Sequence, residues 1–292
     1  MNVLLTGANG QVGETLRATV PAGISLRAVS HAELDIADRS QVRMLIDAAI
    51  PDLVINAAAY TAVDRAESEP EQVAGVNAEG PRHLAEALAA RGHGRLLHIS
   101  TDYVFDGRAQ QPYRTEDTPN PLSVYGRTKL DGERAVLAVL GSRVTVLRTA
   151  WVYAPHGRNF LLTMLRLMRE RGKVRIVADQ RGTPTASRSI AQALWALVAR
   201  PAVSGLLHWT DVGVASWYDF ACAIAEDATA LGFLSPGVQV IPISTAEYPT
   251  AAKRPAHSVL DTAGSSERLG LTPVLWRDRL RETLGQITQA DV

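Results

Sequence analysis

Cysteine, lysine, net charge and long apolar runs are all scarce in this chain of 292 residues, and each shortage removes a class of answers. The one cysteine, Cys222 in the apolar context DFACAIAEDA, excludes an internal disulfide and reads as a buried core thiol. The 30 basic residues cancel the 30 acidic ones. Wholesale binding to nucleic acid or to a membrane surface needs a basic excess, so neither partner is expected. No stretch approaches the roughly 18 uninterrupted apolar residues of a membrane helix. The start, MNVLLTGANG, has no positive region and too short an apolar run for a signal peptide. A cytoplasmic protein is expected. Lysine occurs only at Lys129, Lys173 and Lys253, so nearly every positive charge is arginine. In such a chain a lysine marks a place where Arg will not do.

What is present is an ordinary globular composition, 46% apolar and 21% charged, arranged as alternating strand and helix patterns. Val3–Thr6, Ser25–Val29, Leu53–Ala57, Arg95–Ser100 and Arg143–Arg148 read as strands. Between them Gln11–Thr19, Ser40–Ala49, Glu71–Ala90 and Val124–Leu140 have helical spacing. LVINAA and LLHIS are continuously apolar, as strands covered on both faces must be. Successive units of this kind give an α/β fold, a doubly wound parallel sheet of the Rossmann type. We expect residues 1–150 to form a dinucleotide-binding domain. After about residue 150 helices and short strands mix without a fresh glycine loop. Residues 151–292 therefore read as a smaller mixed α/β substrate lobe, some of whose residues can return to the main sheet.

Gly7-Ala8-Asn9-Gly10-Gln11-Val12-Gly13 follows the first strand at once and opens a helix. Glycine there permits a tight turn and close approach of backbone to a pyrophosphate, and the helix N-terminus offers free N–H groups. The spacing is G-x-x-G-x-x-G, and no Gly-Lys-Ser/Thr follows, so it is no P-loop. The second strand should end at the residue that reads the adenosine ribose. It ends Arg27-Ala28-Val29-Ser30-His31, with no acid until Glu33. That tilts the cofactor towards NADPH over NADH, with Ser30 a contact and His31 a loop residue. Asp35 and Ile36 are expected beside the adenine, and Ala57, Ala58 and Ala59 are small where backbone must pass near a cofactor.

Tyr125-Gly-Arg-Thr-Lys129 opens a helix, so Tyr125 and Lys129 share a face. Hydride arriving at a carbonyl carbon leaves an alkoxide, which needs a proton donor and electrostatic stabilisation. A nearby ammonium stabilises a phenolate and is expected to lower the acidity range of Tyr125. Lysine is also a compact charge that reaches ribose hydroxyls, where Arg is a planar fork. Thr101 follows the strand LLHIS and can donate to the substrate carbonyl oxygen, with Ser100 the alternative for this role.

The order GANGQVG, NAAAYTAVDRAESEP, STDYVFDG, PLSVYGRTK, RTAWVYAPHGRNF, DQRGTPTA and KRPAHS resembles the extended short-chain dehydrogenase/reductases. More closely it resembles the dTDP-4-dehydrorhamnose reductase family, from the first strand to about residue 260. The resemblance implies a nucleotide-sugar substrate and reduction of its 4-keto group by NADPH or NADH. Thr101, Tyr125 and Lys129 would form the catalytic set. Gly10, Gln11, Val12, Asp35, Ile36, Ala59, Tyr60 and Thr61 match cofactor-contacting segments. Thr101, Asp102 and Trp151 match positions that contact the sugar nucleotide. Val104, Phe105 and Asn159, in the same segments, are further candidates, and Arg254 is a candidate clamp for the phosphates. Some family members are described as metal-linked dimers, but Glu14 stands beside Thr15, and Arg188 follows Ala-Ser. No metal is expected, and a monomer or homodimer is expected. A nucleotide-sugar epimerase or dehydratase uses the same Tyr-Lys pair, and a non-catalytic regulatory subunit can share the fold. Tyr103 after Thr101-Asp102, rather than Glu, favours simple reduction, and the intact Thr101, Tyr125 and Lys129 favour an enzyme.

Overall fold

Short apolar runs rich in branched side chains and bounded by turn residues form strands. In the computed structural model, which describes residues 1–288, these are β1 (Asn2–Thr6), β2 (Ser25–Val29), β3 (Leu53–Asn56), β4 (Arg95–Thr101) and β5 (Val144–Thr149). Between them lie α1 (Gln11–Ala18), α2 (Arg39–Ala49), α3 (Val63–Ala66), α4 (Pro70–Ala74), α5 (Gly80–Ala90) and α6 (Val124–Leu140). Asp38 caps α2 by accepting from the N–H groups of Ser40 and Gln41. The helix expected over residues 71–90 is not regular. Gly75–Glu79 makes a π-helical turn between α4 and α5, a feature that often marks a functional region.

The second half continues with β6 (Val152–Tyr153), α7 (Phe160–Arg171), β7 (Lys173–Val177), β8 (Arg181–Gly182), β9 (Thr185–Ala186) and α8 (Ser187–Val198). Then come β10 (Gly205–His208), β11 (Ala215–Ser216), α9 (Trp217–Ala230), β12 (Gln239–Ile243), α10 (Ala263–Leu269) and α11 (Trp276–Leu284). β10 returns to the main sheet, which has six parallel strands in the order β10-β5-β4-β3-β1-β2. One face is covered by α1 and α8, the latter through Ile190, Leu194 and Leu197. The other carries α2, α5 and α6, through Val42, Leu84, Leu88 and Val136.

The lobe has its own core, in which Leu161, Leu165, Phe220, Ile224, Leu280 and Leu284 join α7, α9 and α11 around β7 and its parallel partner β12. Residues 289–292, the tail of the lobe expected over 151–292, lie outside the described residues. Cys222, expected in this core, sits on a half-buried flank of α9, where burial raises its thiol. Because β2 and β3 lie on opposite sides of β1, a crevice opens beyond the carboxyl ends of β1 and β3. Open α/β sheets bind ligands at such a switch point.

Candidate active site

A cavity of 430 Å³ occupies that crevice. The chain reaches it through Gly10, Gln11 and Val12 after β1, Ala57–Ala59 after β3, Thr101 and Asp102 at the end of β4, and Thr149–Trp151 after β5. Gly7 turns the chain with φ +75°, and a Cβ on Gly13 would stand 2.2 Å from the Gly7 carbonyl oxygen. Only glycine lets α1 pack this tightly against the loop. Gly10 gives α1 no side-chain cap, so the first-turn amides face the crevice as an anion site does. Gln11 Oε1, Ser100 Oγ, Asp102 Oδ2 and Thr149 Oγ1 all belong to the wall and are buried with no hydrogen-bond partner among the described residues. Unsatisfied buried polar atoms are costly, and this donor and acceptor set fits a polar ligand such as a nicotinamide nucleotide.

The other cofactor candidates hold the loops rather than line the cavity. The backbone N–H and C=O of Tyr60 are both bonded to the side chain of Asn77, at 2.9 and 3.0 Å. This clamp comes from the π-helical turn and fixes the segment that carries Ala59 and Thr61. The hydroxyl of Tyr60 donates to Glu69. Ile36 is buried in the core beneath α5, and the Asp35 carboxylate accepts from the Ala37 amide. Beyond β2, the Glu33 carboxylate accepts from both the amide and the hydroxyl of Ser30, each at 2.8 Å. These bonds hold Glu33 below the usual carboxylate range. A tight turn thus brings the Glu33 carboxylate back to Ser30, the residue that follows β2.

Ser123 caps α6 by accepting from the Gly126 amide, and the Glu67 carboxylate accepts from Val124 at 2.7 Å. A Cβ on Gly126 would stand 2.2 Å from the Tyr103 carbonyl oxygen. The helix start therefore rests directly on the turn Asp102–Val104, and Tyr125 meets the hydroxyl of Thr101. The rings of Tyr103 and Tyr125 meet edge-on at 5.7 Å. Burial pushes the Tyr125 hydroxyl up to about 12, and the neighbouring Thr101 hydroxyl opposes the rise. The expected depression by Lys129 is not found. The Lys129 ammonium donates instead to the Ile99 carbonyl at 2.7 Å. Burial lowers Lys129 to about 8, with Glu133 one turn further along α6 opposing the fall. Asp102, accepting from Thr101 at 3.1 Å, is raised by burial to about 7.

Two substrate candidates are corrected. Val104 and Phe105 do not face the cavity. They are fully buried with Tyr113, Leu130 and Leu260, because the turn capped by Thr101 sends the chain back inward. Asn159 does line the cavity, but its side chain caps α7 and bonds the carbonyls of Ala154 and His156. Trp151 lines it, stacked on Trp217, an aromatic the sequence did not single out. Phe160 and Trp217 also border a second cavity of 720 Å³ in the lobe, with Arg171, Lys173, Arg175 and Arg254 on its wall. Arg254 is held there by a two-pronged pair with Asp64, at 3.0 and 2.7 Å.

A Rossmann sheet with an open helix N-terminus and a Thr-Tyr-Lys set at its carboxyl edge defines a nicotinamide-dependent oxidoreductase of the short-chain dehydrogenase/reductase type. Within that class the chain belongs to the family described as RmlD substrate binding domain, whose model matches residues 1–289. It is 42% identical to the dTDP-4-dehydrorhamnose reductase of Aggregatibacter actinomycetemcomitans, over 96% of this chain and 97% of that one. It is also 42% identical to a probable dTDP-4,6-dihydroxy-2-methyloxan-3-one 4-ketoreductase of Streptomyces antibioticus, over 100% and 97%. The crystal structure of dTDP-4-dehydrorhamnose reductase from Bacillus anthracis in complex with NADP has a TM-score of 0.91 at 33% identity, covering 98% of this chain and 99% of that one. Among the described residues no helix is long and apolar enough to cross a membrane.

Proposed function

We propose that the chain reduces the 4-keto group of dTDP-4-dehydro-L-rhamnose with NADPH or NADH. The observation that carries this reading is the convergence of Thr101, Tyr125 and Lys129 on one cavity beside the glycine loop. The nicotinamide cofactor supplies hydride when bound, and Gly10, Gln11, Val12, Ala57–Ala59 and Thr61 are the residues that would hold it. Hydride addition leaves negative charge on the substrate oxygen. Thr101 and Tyr125 both line the cavity, and their hydroxyls suit the reception of that oxygen. Tyr125 stays fully protonated near neutral pH, yet is a stronger acid than an alcohol, so proton transfer to the alkoxide runs downhill. Lys129 places a buried positive charge on the same wall, suited to the ribose hydroxyls and to the charge developing at Tyr125.

The second cavity supports the nucleotide half of the substrate. Its floor of Phe160, Met164 and Leu167 suits a base, and Lys173, with Arg254 oriented by Asp64, suits a diphosphate. The names of the two relatives share a dTDP carrier and a 4-keto group. The test is to mix purified protein, dTDP-4-dehydro-L-rhamnose and either reduced cofactor, and to follow loss of nicotinamide absorbance. Formation of dTDP-L-rhamnose is expected. No oxidation with either cofactor would sink the reading.

A further inference from the structure

The wall of the catalytic cavity carries two cations, Lys129 and Arg158, and the chemistry above uses only the first. Arg158 lies in the loop between β6 and α7, which belongs to the lobe but is fastened to the first turn of α1. His156 Nε2 is 3.2 Å from the Gln11 carbonyl oxygen and 3.3 Å from the Glu14 carboxylate. Gly157, with φ +75°, brings its backbone against the same residue, since a Cβ there would be 3.5 Å from Gln11 Cγ. Asn159 braces the loop from within by donating to the carbonyls of Ala154 and His156. The loop is therefore held over the glycine turn, and Arg158 extends from it with no hydrogen bond or ion pair among the described residues.

We propose that Arg158 is a pyrophosphate clamp, closing from the lobe over the dinucleotide phosphates that the α1 N-terminus receives from below. The inference rests on the nicotinamide-nucleotide reading of the cavity. A guanidinium fork can take two phosphate oxygens at once, and its freedom from a carboxylate leaves it available to do so. Its position also ties the two halves of the site together, because one ligand would bridge the α1 turn and the lobe loop.

Binding can be read without turnover. NADPH and NADH are titrated by nicotinamide fluorescence into wild type, Arg158→Ala, Arg158→Lys and the surface control Arg166→Ala, with no sugar nucleotide present. Arg158→Ala is expected to weaken both cofactors equally, by about tenfold or more, because the pyrophosphate is common to them. Arg158→Lys should recover part of the loss, and Arg166→Ala none of it should show. The wild-type affinity should fall more steeply with added salt than that of Arg158→Ala. Unchanged affinity for both cofactors overturns the proposal, as does a loss confined to NADPH, which would assign Arg158 to the 2′-phosphate. A rise only in the KM for the sugar nucleotide also overturns it. Failure of wild type itself to bind either cofactor would sink the underlying reading instead.

Discussion

Trp151 and Trp217 lie flat against one another, with ring centroids 3.6 Å apart and planes 4° from parallel. Trp217 borders both cavities, so the pair stands where the sugar and the nucleotide of one substrate would meet. Trp151 adopts φ +47°, a left-handed conformation unusual for a bulky residue. Such strain persists only where surrounding contacts over-determine it. Here those contacts are Trp217 on one face and the bare backbone of Gly182 beside the indole, where a Cβ would stand 2.5 Å from Trp151 Cε2.

Gly182→Ala tests whether the stack shapes the substrate wall. The added methyl meets a rigid ring, so the indole must move off Trp217. The KM for the sugar nucleotide should rise severalfold and the tryptophan fluorescence should change, while NADPH affinity measured alone stays as in wild type. An unchanged KM together with an altered emission spectrum would show that the stack is only packing.

Tyr125→Phe removes the proton donor and keeps the ring that packs on Tyr103. Loss of general acid catalysis should lower kcat by about 10²–10⁴-fold. Cofactor affinity should stay near wild type because Lys129 and the glycine loop are untouched. Turnover at the wild-type rate would remove Tyr125 from the chemistry.

Much of this site was legible along the chain because its parts are local. Gly7 to Gly13, and Tyr125 with Lys129, owe their geometry to a turn and to helical periodicity. What could not be read depends on contacts between distant segments. Phe105 looked like a cavity residue beside Asp102, but it stacks on Tyr113 at 4.1 Å with the Arg148 guanidinium over its ring. Trp217 carries no motif, and only the packing of α9 brings it to Trp151. Glu33 was discounted for its position in sequence, and only a turn returns its carboxylate to Ser30. The return of β10 to β5 likewise depends on tertiary pairing, and nothing in GLLHWT itself names its partner.

Glu33 bears on the choice of cofactor. A carboxylate beside the residue that ends β2 accepts ribose hydroxyls and repels a 2′-phosphate. Glu33→Ala should therefore raise the ratio of kcat/KM for NADPH over NADH by severalfold. A ratio equal to that of wild type would make Glu33 a turn cap and nothing more.

Burial raises Asp102 from 3.8 to about 7, so the folded chain binds more protons at this site than the unfolded chain between those values. Stability from this group is complete below about pH 4 and is lost as pH rises through about 7. Asp102→Asn carries no such loss. Its melting temperature relative to wild type should increase from pH 5 to pH 8. A difference that is flat with pH, or of opposite slope, would refute the assignment of a raised carboxyl.

The buried pair Glu133–Arg148 joins stability to the titration of Lys129. Its bonds are 2.9 and 2.7 Å, and both side chains are almost wholly shielded from water. Removing the charge of Glu133 strands the guanidinium, at a cost of about 3–5 kcal/mol. The same charge keeps Lys129 ionised against burial, since it is the group that opposes the fall to about 8. In wild type the free-enzyme kcat/KM should therefore decline as pH rises through about 8, where the ammonium is lost. Glu133→Gln keeps the shape of the side chain but makes the ammonium less favourable, so this alkaline limb should move to lower pH. Glu133→Gln combined with Arg148→Met replaces the stranded charge by an apolar group and should recover stability while leaving the limb shifted. A profile that returns to wild type along with stability would mean that Glu133 acts only through the fold.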